Sequence, residues 1–419
     1  MSKLLDKVKQ KIGSSYSGIK KCVVAFSGGL DTTVICALFQ EMGIEIVTVT
    51  LDIGQGDDIR KIEAKAKLFN VSKHYTIDAK KEFTGDFIFP AIKANCLYEG
   101  SYPNATALGR PLIVKHLVEA GRLENADAVA HGSTGKGNDQ VRIDNGVRAL
   151  SDMKVIAPVR DWELWRDEEI EYAREKKLDV NISKDRAYSF DHNLWGRSME
   201  CGPIEKPELE VPEDAYELTA NPKDAPDEPQ TVELFFEKGV PARADLAGEL
   251  VNDPVQLIMK LNKLAGKHGV GRINHMEDRV VGFKSRESYE SPAALAILPA
   301  HKDLEKFILT KDELRLKADM DIKFSEMVYD GKWFSPVRHA INAFIDETQK
   351  HVNGSVKVRL FKGSATVLSR KSDYSLYSRD MASYDKATTT WVQQDGEVFT
   401  RLYGLDYVMG YKRRYGKKQ

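Results

Sequence analysis

The sequence predicts an α/β protein: a parallel sheet with helices on both faces, followed by a second half of α+β character. Three observations carry that prediction. Short β-branched apolar runs alternate with stretches of helical spacing through the first half, the pattern of βαβ units. Two of those runs end in glycine-rich turns that open a helix. Six of the fifteen prolines then crowd into residues 203–229 among Asp, Glu and Lys, and beyond them the alternation is lost.

The elements follow in order. Leu4, Leu5, Val8 and Ile12 make residues 3–12 an amphipathic lead-in helix. Strands are expected at 21–26, 44–51, 73–77, 126–130 and 154–157, and helices at 31–42, 57–69, 111–123 and 167–177. Gly43 and Asn70 end two of the helices, where a residue tolerating left-handed backbone is wanted. After the proline-rich crossing, residues 231–236 read as a strand. Asn252-Asp253-Pro254 reads as a helix start, with proline in the first turn. Residues 279–283 and 293–298 read as strands. Ser335-Pro336 opens a helix to about residue 350, and Lys362-Gly363-Ser364 joins a hairpin of 356–361 and 365–369.

Composition narrows the function. Sixty-two Lys+Arg against sixty-three Asp+Glu leave a net charge of −1, so a general nucleic-acid binder is not expected. Cys22, Cys36, Cys96 and Cys201 form no C-x-x-C pair, which argues against a disulfide scaffold, a zinc knuckle and a redox dithiol. No apolar run approaches the ~18–20 residues of a bilayer span, and the N-terminus lacks a secretory apolar core. No cysteine follows Met1, so an N-terminal-nucleophile glutaminase is not expected. The expectation is a cytoplasmic protein with no nucleic-acid or membrane partner.

Two turns carry the chemistry. The first is Ala25-Phe26-Ser27-Gly28-Gly29-Leu30-Asp31-Thr32-Thr33, where a buried strand becomes a helix. Paired glycines let backbone approach a ligand closely, and the free N–H groups and dipole of the helix favour an anion. Ser27, Thr32 and Thr33 add hydroxyls, and Asp31 suits a metal riding on a phosphate. The second turn runs from His131 to Arg142 after the strand at 126–130. It is not a Walker A loop, which would need glycine at Ala130 and a hydroxyl at Gly137. Its hydroxyl, cation, amide, carboxylate and guanidinium suit a zwitterionic substrate. Both turns follow strands of one parallel sheet, so they should line one crevice.

The Ser27-Gly28-Gly29-Leu30-Asp31-Thr32 turn resembles the pyrophosphate-binding loop of the N-type ATP pyrophosphatases. Its Leu-Asp-Thr ending and Asp52-Ile53-Gly54-Gln55 resemble the argininosuccinate synthetase family. Tyr98-Glu99, Leu108-Gly109-Arg110, the run from Thr134 to Arg142, Lys154 to Pro158, Gly266 to Arg272, Lys284-Ser285-Arg286 and Tyr289-Glu290 extend the resemblance along nearly the whole chain.

The resemblance implies an adenine-nucleotide α-hydrolase-like ATP-binding domain at 1–180, a synthetase domain at 181–389 and a C-terminal oligomerisation arm at 390–419 of a homotetramer. It implies that ATP adenylates the ureido oxygen of citrulline, releasing pyrophosphate, and that aspartate then displaces AMP to give argininosuccinate, the penultimate step of arginine biosynthesis. Magnesium would come with ATP, with no prosthetic group. ATP would meet Ala25, Phe26, Ser27, Gly28, Gly29, Leu30, Asp31, Thr32, Thr33, Leu51 and Gly132. Aspartate would meet Thr134, Asn138 and Asp139. Citrulline would meet Tyr102, Asn138, Arg142, Ser189, Ser198, Glu277 and Tyr289, with Asp191 and Glu200 as further candidates. No catalytic acid or base is assigned.

Ala107 stands where many members of the family carry a citrulline-binding serine, and Thr106 is the expected substitute. Rival readings are a tRNA-thiolating or ammonia-using ATP pyrophosphatase and a nucleotide sensor without turnover. A sensor has no need for Thr134, Asn138, Asp139 and Arg142 together. The basic residues 411–418 read as a solvated tail, and Val398, Leu402, Leu405 and Val408 as a helix face seeking a neighbouring subunit or its own core.

Overall fold

The computed structural model describes residues 3–13, 16–56, 59–180, 188–384 and 391–416. Its contacts divide the chain into a unit Met1–Asp373 and a unit Tyr374–Gln419.

The first half of the larger unit runs α1 (Lys3–Lys11), β1 (Lys21–Ala25), α2 (Leu30–Glu41), β2 (Glu45–Asp52), α3 (Ile59–Ala66), β3 (Lys73–Asp78), α4 (Ala105–Leu123), β4 (Ala128–Ala130), α5 (Asp139–Leu150), β5 (Lys154–Ile156) and α6 (Arg166–Glu175). The five strands form one parallel sheet in the order β3-β2-β1-β4-β5. Alternate residues serve opposite cores, as the pleat requires. Val23, Val47, Val49 and Val129 face the core that holds α4, whereas Cys22, Val24, Ile46, Ala128 and Ala130 face the core that holds α1 and α2. That two-sided burial explains the near-continuous apolar strands. Leu4, Leu5 and Val8 of the lead-in helix are buried in the second core.

Helix α4 begins at Ala105, six residues before the expected start, and carries Pro111 in its interior. The start expected at Asp57 lies outside the described residues, and α3 is described from Ile59.

The second half continues with β6 (Ser189–Asn193), β7 (Gly196–Glu200), β8 (Gln230–Glu237), β9 (Val240–Leu246), β10 (Glu249–Val251), α7 (Pro254–Lys267), β11 (Arg272–Asp278), β12 (Lys284–Glu290), α8 (Pro292–Ile308), α9 (Lys311–Tyr329), α10 (Pro336–Gln349), β13 (Gly354–Phe361) and β14 (Ser364–Lys371). Two antiparallel sheets result, β10-β9-β8-β13-β14 and β11-β12-β7-β6. Asp253 caps α7 by accepting from the Gln256 N–H at 2.8 Å. Lys362 and Gly363 both take positive φ, 45° and 85°, the mirror-image turn that suits a two-residue hairpin.

Two expected strands are corrected. Residues 279–283 are the turn between β11 and β12, where Gly282 has φ of 95°. Residues 293–298 belong to α8. Their six apolar residues are mostly buried, and a short run of that kind has no periodicity to separate strand from helix.

A buried carboxylate is among the groups that hold the proline-rich crossing. Glu290, fully buried on β12, accepts from the backbone N–H groups of Glu217, Leu218 and Thr219 at 3.0, 2.9 and 2.8 Å. Arg197 Nη1, 3.1 Å away, supplies the compensating charge.

In the smaller unit, α11 (Asp395–Tyr403) and α12 (Leu405–Tyr415) have no buried residue. Val398, Leu402, Leu405 and Val408 are exposed there. The arm's expected first residue, Thr390, and Lys417 and Lys418 of the basic tail lie outside the described residues.

Candidate active site

The parallel sheet reverses direction of winding between β1 and β4, and ligands in such sheets bind beyond the strand ends at that point. The turns after those two strands open there into a cleft of about 910 Å³.

Burial drives β1 straight to its end. The chain then breaks at Gly28, whose φ is 71°, a conformation costly for any side chain. The break leaves Gly29 as the N-cap of α2. Ser27 Oγ lies 3.2 Å from Thr32 Oγ1 and accepts from the Gly29 N–H at 3.3 Å. Thr50 Oγ1 donates to the Phe26 carbonyl at 2.6 Å and ties the turn to β2. No side chain caps α2, so its first N–H groups and positive end face the cleft. Ala25, Phe26, Ser27, Gly29, Leu30, Asp31, Thr32 and Leu51 line the cleft. Gly28 and Thr33 do not: Gly28 backs onto Ile62 and Lys65, and Thr33 is buried in α2. Burial raises the Asp31 carboxyl above its ordinary range, and Glu169 on α6 is raised by burial and then by the charge of Asp31.

The second turn is held from beneath. Buried His131 lies 2.9 Å from Asp144 through Nε2 and accepts from the Ser133 N–H at 3.2 Å through Nδ1. Gly132 and Thr134 line the cleft, and a Cβ at Gly132 would stand 3.3 Å from that of Asp31. Asn138 accepts from the Val280 N–H at 3.0 Å and donates to the Tyr329 hydroxyl at 2.8 Å. Asp139 opens α5 and meets Arg110 at 2.7 Å and Arg142 at 2.9 Å. Burial would raise its pKa, but the two guanidiniums prevail and hold it well below the ordinary carboxylate range.

The opposite wall is one face of the sheet β11-β12-β7-β6. Ser189 and Asp191 on β6, Ser198 and Glu200 on β7, and Glu287 and Tyr289 on β12 are alternate residues, and all line the cleft. Asp191 pairs in register with Ser198, and Ser198 with Tyr289. Glu277, buried on β11, accepts from the hydroxyls of Tyr289 and Tyr329. Tyr102 stacks on Tyr289 with ring centroids 3.9 Å apart, and its hydroxyl accepts from the Thr106 N–H at 2.9 Å. Thr106 lines the cleft and donates to Ser198 at 3.2 Å, whereas Ala107 is buried in the core.

The structure thus brings together every residue expected for the two amino acids. It adds residues that the sequence reading gave no role: Arg110, Arg279, Glu287 and Tyr329 all line the cleft. Arg110 stood within a quoted motif; Tyr329 stood in none. Burial pushes Glu287 up to about 7, aided by the nearby charge of Glu200 and opposed by Arg279.

A five-stranded parallel sheet with an open helix end at its switch point, facing a polar wall with paired charges, is the architecture of an α/β protein built to bind an anionic ligand there. Residues 21–179 match the family model for the arginosuccinate synthase N-terminal HUP domain, and residues 188–409 match that for the arginosuccinate synthase C-terminal domain. The chain is 51% identical over 389 residues to the argininosuccinate synthase of Rubrobacter xylanophilus, covering 93% of this chain and 94% of that protein. It is 50% identical over 398 residues to that of Pyrococcus furiosus (94% and 95%), and 49% identical over 368 residues to that of Bacillus subtilis (88% and 91%). The chain belongs to the argininosuccinate synthase family.

Proposed function

We propose that the ATP-dependent ligation of citrulline and aspartate, the reaction of this family in arginine biosynthesis, runs in this cleft with the following division of labour. The observation that carries it is the meeting of three parts: the α2 turn, the 131–139 turn and the polar sheet face.

ATP enters with its phosphates at the N-terminus of α2, among Ser27, Gly29 and Thr32, and with Leu51 and Gly132 beside the rest of the nucleotide. Magnesium would come with ATP, and Asp31, which lines the cleft in the first turn of α2, would be the carboxylate to hold it. Citrulline lies along the sheet face, between Arg142, Glu277, Tyr289 and the hydroxyls of Ser189, Ser198 and Thr106. Its ureido oxygen attacks the α-phosphorus, the bond to the β-phosphate breaks, and pyrophosphate leaves toward the helix end. Hydrogen bonds and dipoles aimed at developing charge are the largest source of such stabilisation. Aspartate then enters against Thr134, Asn138 and Asp139. Its amine attacks the activated ureido carbon and AMP departs with the ureido oxygen.

The reading extends to the assembly. The exposed apolar side chains of α11 and α12 suit an arm laid on a neighbouring copy in a homotetramer. A cytoplasmic location accords with the absence, among the described residues, of any helix long and apolar enough to cross a membrane. The chain would divide into an ATP-binding part to about residue 180, a synthetase part to about residue 389 and the arm from residue 390.

The test is product analysis. ATP, citrulline and aspartate should give AMP and pyrophosphate, with citrulline required for release of either. ADP as the main product, or full activity with ammonia or glutamine replacing aspartate, overturns the assignment.

A further inference from the structure

Tyr329 closes α9 and stands apart in sequence from every motif discussed above. It is nevertheless the point where the two amino-acid subsites touch. Its hydroxyl accepts from Asn138 Nδ2 at 2.8 Å and donates to the Glu277 carboxylate. Its backbone carbonyl accepts from Arg142 Nε at 2.9 Å. Its ring stacks on Tyr98 with centroids 3.5 Å apart and an interplanar angle of 1°, and the Arg142 guanidinium lies 4.9 Å from the ring centre. Only 1% of the residue is exposed, so these contacts fix it without competition from bulk water.

The chemistry gives the hydrogen bonds a single direction. A phenol has one proton, and a carboxylate can only accept. The proton therefore goes to Glu277, and the phenol oxygen receives an N–H from Asn138. That sets the Asn138 amide: its oxygen takes the Val280 N–H at 3.0 Å, and its nitrogen faces Tyr329. One N–H of that amide is left to meet a ligand, and it is a donor, suited to a carboxylate. At the other end Glu277 has one oxygen on Tyr329 and the other on Tyr289. Its remaining lone pairs suit an ammonium or amide N–H. The chain Val280, Asn138, Tyr329, Glu277, Tyr289 thus spans the turn at 279–283, the 131–139 turn, the end of α9 and the sheet face.

We infer that Tyr329 is a positioning residue that sets Asn138 as a donor and Glu277 as an acceptor together, so that the aspartate and citrulline subsites are shaped by one hydroxyl. The inference rests on the assignment of Asn138 and Glu277 made above. Tyr329 itself need not touch either substrate. Loss of its hydroxyl leaves the Asn138 amide held by the Val280 N–H alone and one Glu277 oxygen without its donor. Both amino acids should then bind less well, while ATP, held at the α2 turn, should not.

The test is Tyr329→Phe, which keeps the ring stack and deletes the hydroxyl. The expected result is a rise of about tenfold or more in KM for both citrulline and aspartate, with KM for ATP changed less than twofold. A merely structural role would lower thermal stability and kcat without that split. Transmission through Asn138 is tested in an Asn138→Ala background, where Tyr329→Phe should add little further to KM for aspartate. Independent, multiplying effects would overturn the inference, as would an equal rise for ATP or no rise for either amino acid. Should Tyr329→Phe not fold, Glu277→Gln asks the same question from the other end. KM for aspartate should rise with that for citrulline, and an unchanged aspartate KM defeats the coupling. Wild-type protein run in parallel separates the two readings: failure to form argininosuccinate at all refutes the assignment of function, whereas normal wild-type turnover with an unaffected Tyr329→Phe refutes only the role of Tyr329.

Discussion

The guanidinium of Arg279 donates to the backbone carbonyl of Lys136 at 3.2 Å, joining the turn between β11 and β12 to the turn that follows β4. The same side chain meets Glu200 at 2.7 Å and Glu287. It therefore holds the 131–139 turn against the sheet face and pairs with two carboxylates of that face. Arg279→Met should raise KM for aspartate by about tenfold, the equivalent of ~1.4 kcal/mol, and should expose the 131–139 turn to limited proteolysis. Equal proteolysis patterns for the two proteins would show that the turn is held without Arg279.

Gly28→Ala tests the phosphate turn. At φ of 71° an added Cβ meets ordinary contacts at 3.5 Å from Ile62, so crowding is not the obstacle. The cost is backbone strain of roughly 1–2 kcal/mol, relieved by moving the turn away from its ligand-facing shape. ATP affinity or turnover should collapse while far-UV circular dichroism stays unchanged. Near-normal ATP kinetics would mean that the turn does not cradle phosphate.

Asp139→Asn separates the two chemical steps. The carboxylate sits between Arg110 and Arg142 and stays ionised. Under the proposed assignment it also receives the ammonium of aspartate, a charge-assisted contact worth roughly 1.5–3 kcal/mol. The variant should need about tenfold to a hundredfold more aspartate. Citrulline-dependent exchange of labelled pyrophosphate into ATP should survive better than overall synthesis. Equal loss of both would place Asp139 in support of the fold, and earlier loss of exchange would place it on magnesium.

Stability should depend on pH through Glu287. Burial, with the charge of Glu200, lifts this carboxyl from 4.5 to about 7 in the folded protein. The folded state therefore keeps a proton that the unfolded state releases, and the sign follows from linkage. The contribution is greatest below about 4.5 and is lost as pH rises toward 7, by on the order of 3 kcal/mol at most. Urea unfolding at pH 5 and pH 8 should show the wild type losing stability relative to Glu287→Gln as pH increases. A constant difference between them would show that the carboxyl is ionised throughout.

Removal of the unit Tyr374–Gln419 tests the arm. Its helices expose Phe399, Leu402, Tyr403, Tyr407 and Val408, surface that a solvated monomer has no reason to carry. Truncation after Asp373 should shift the solution mass from an oligomer to a smaller species, read by light scattering. An unchanged oligomer would place the subunit contacts elsewhere.

Much of this protein was determined by local sequence. Two-sided burial writes a parallel strand as a continuous apolar run, so β1, β2 and β4 were legible from Val23, Val47 and Val129 and their neighbours. A turn that demands positive φ and an uncapped helix end writes itself as Ser27-Gly28-Gly29, and Asp253-Pro254 marks a helix start in the same local way. The opposite wall is written in no local pattern: Ser189, Ser198, Glu277 and Tyr289 were expected there only through the family resemblance, and Glu287 and Arg279 only through packing. Glu200, Glu277 and Glu287 lie on three strands whose register is set by pairing partners far away in sequence, so no window of sequence shows that they share a face. Residues 279–283 look like a strand in sequence because their turn is defined only by the pairing of β11 with β12. Residues 293–298 look like one because a largely buried apolar run hides its period. Tyr329 carries no local signal at all: its contacts exist only once α9 is packed against the turn after β4 and the sheet edge. Local backbone preference and burial act over a few residues and are recorded there, whereas a site assembled from separate elements is recorded only in their packing.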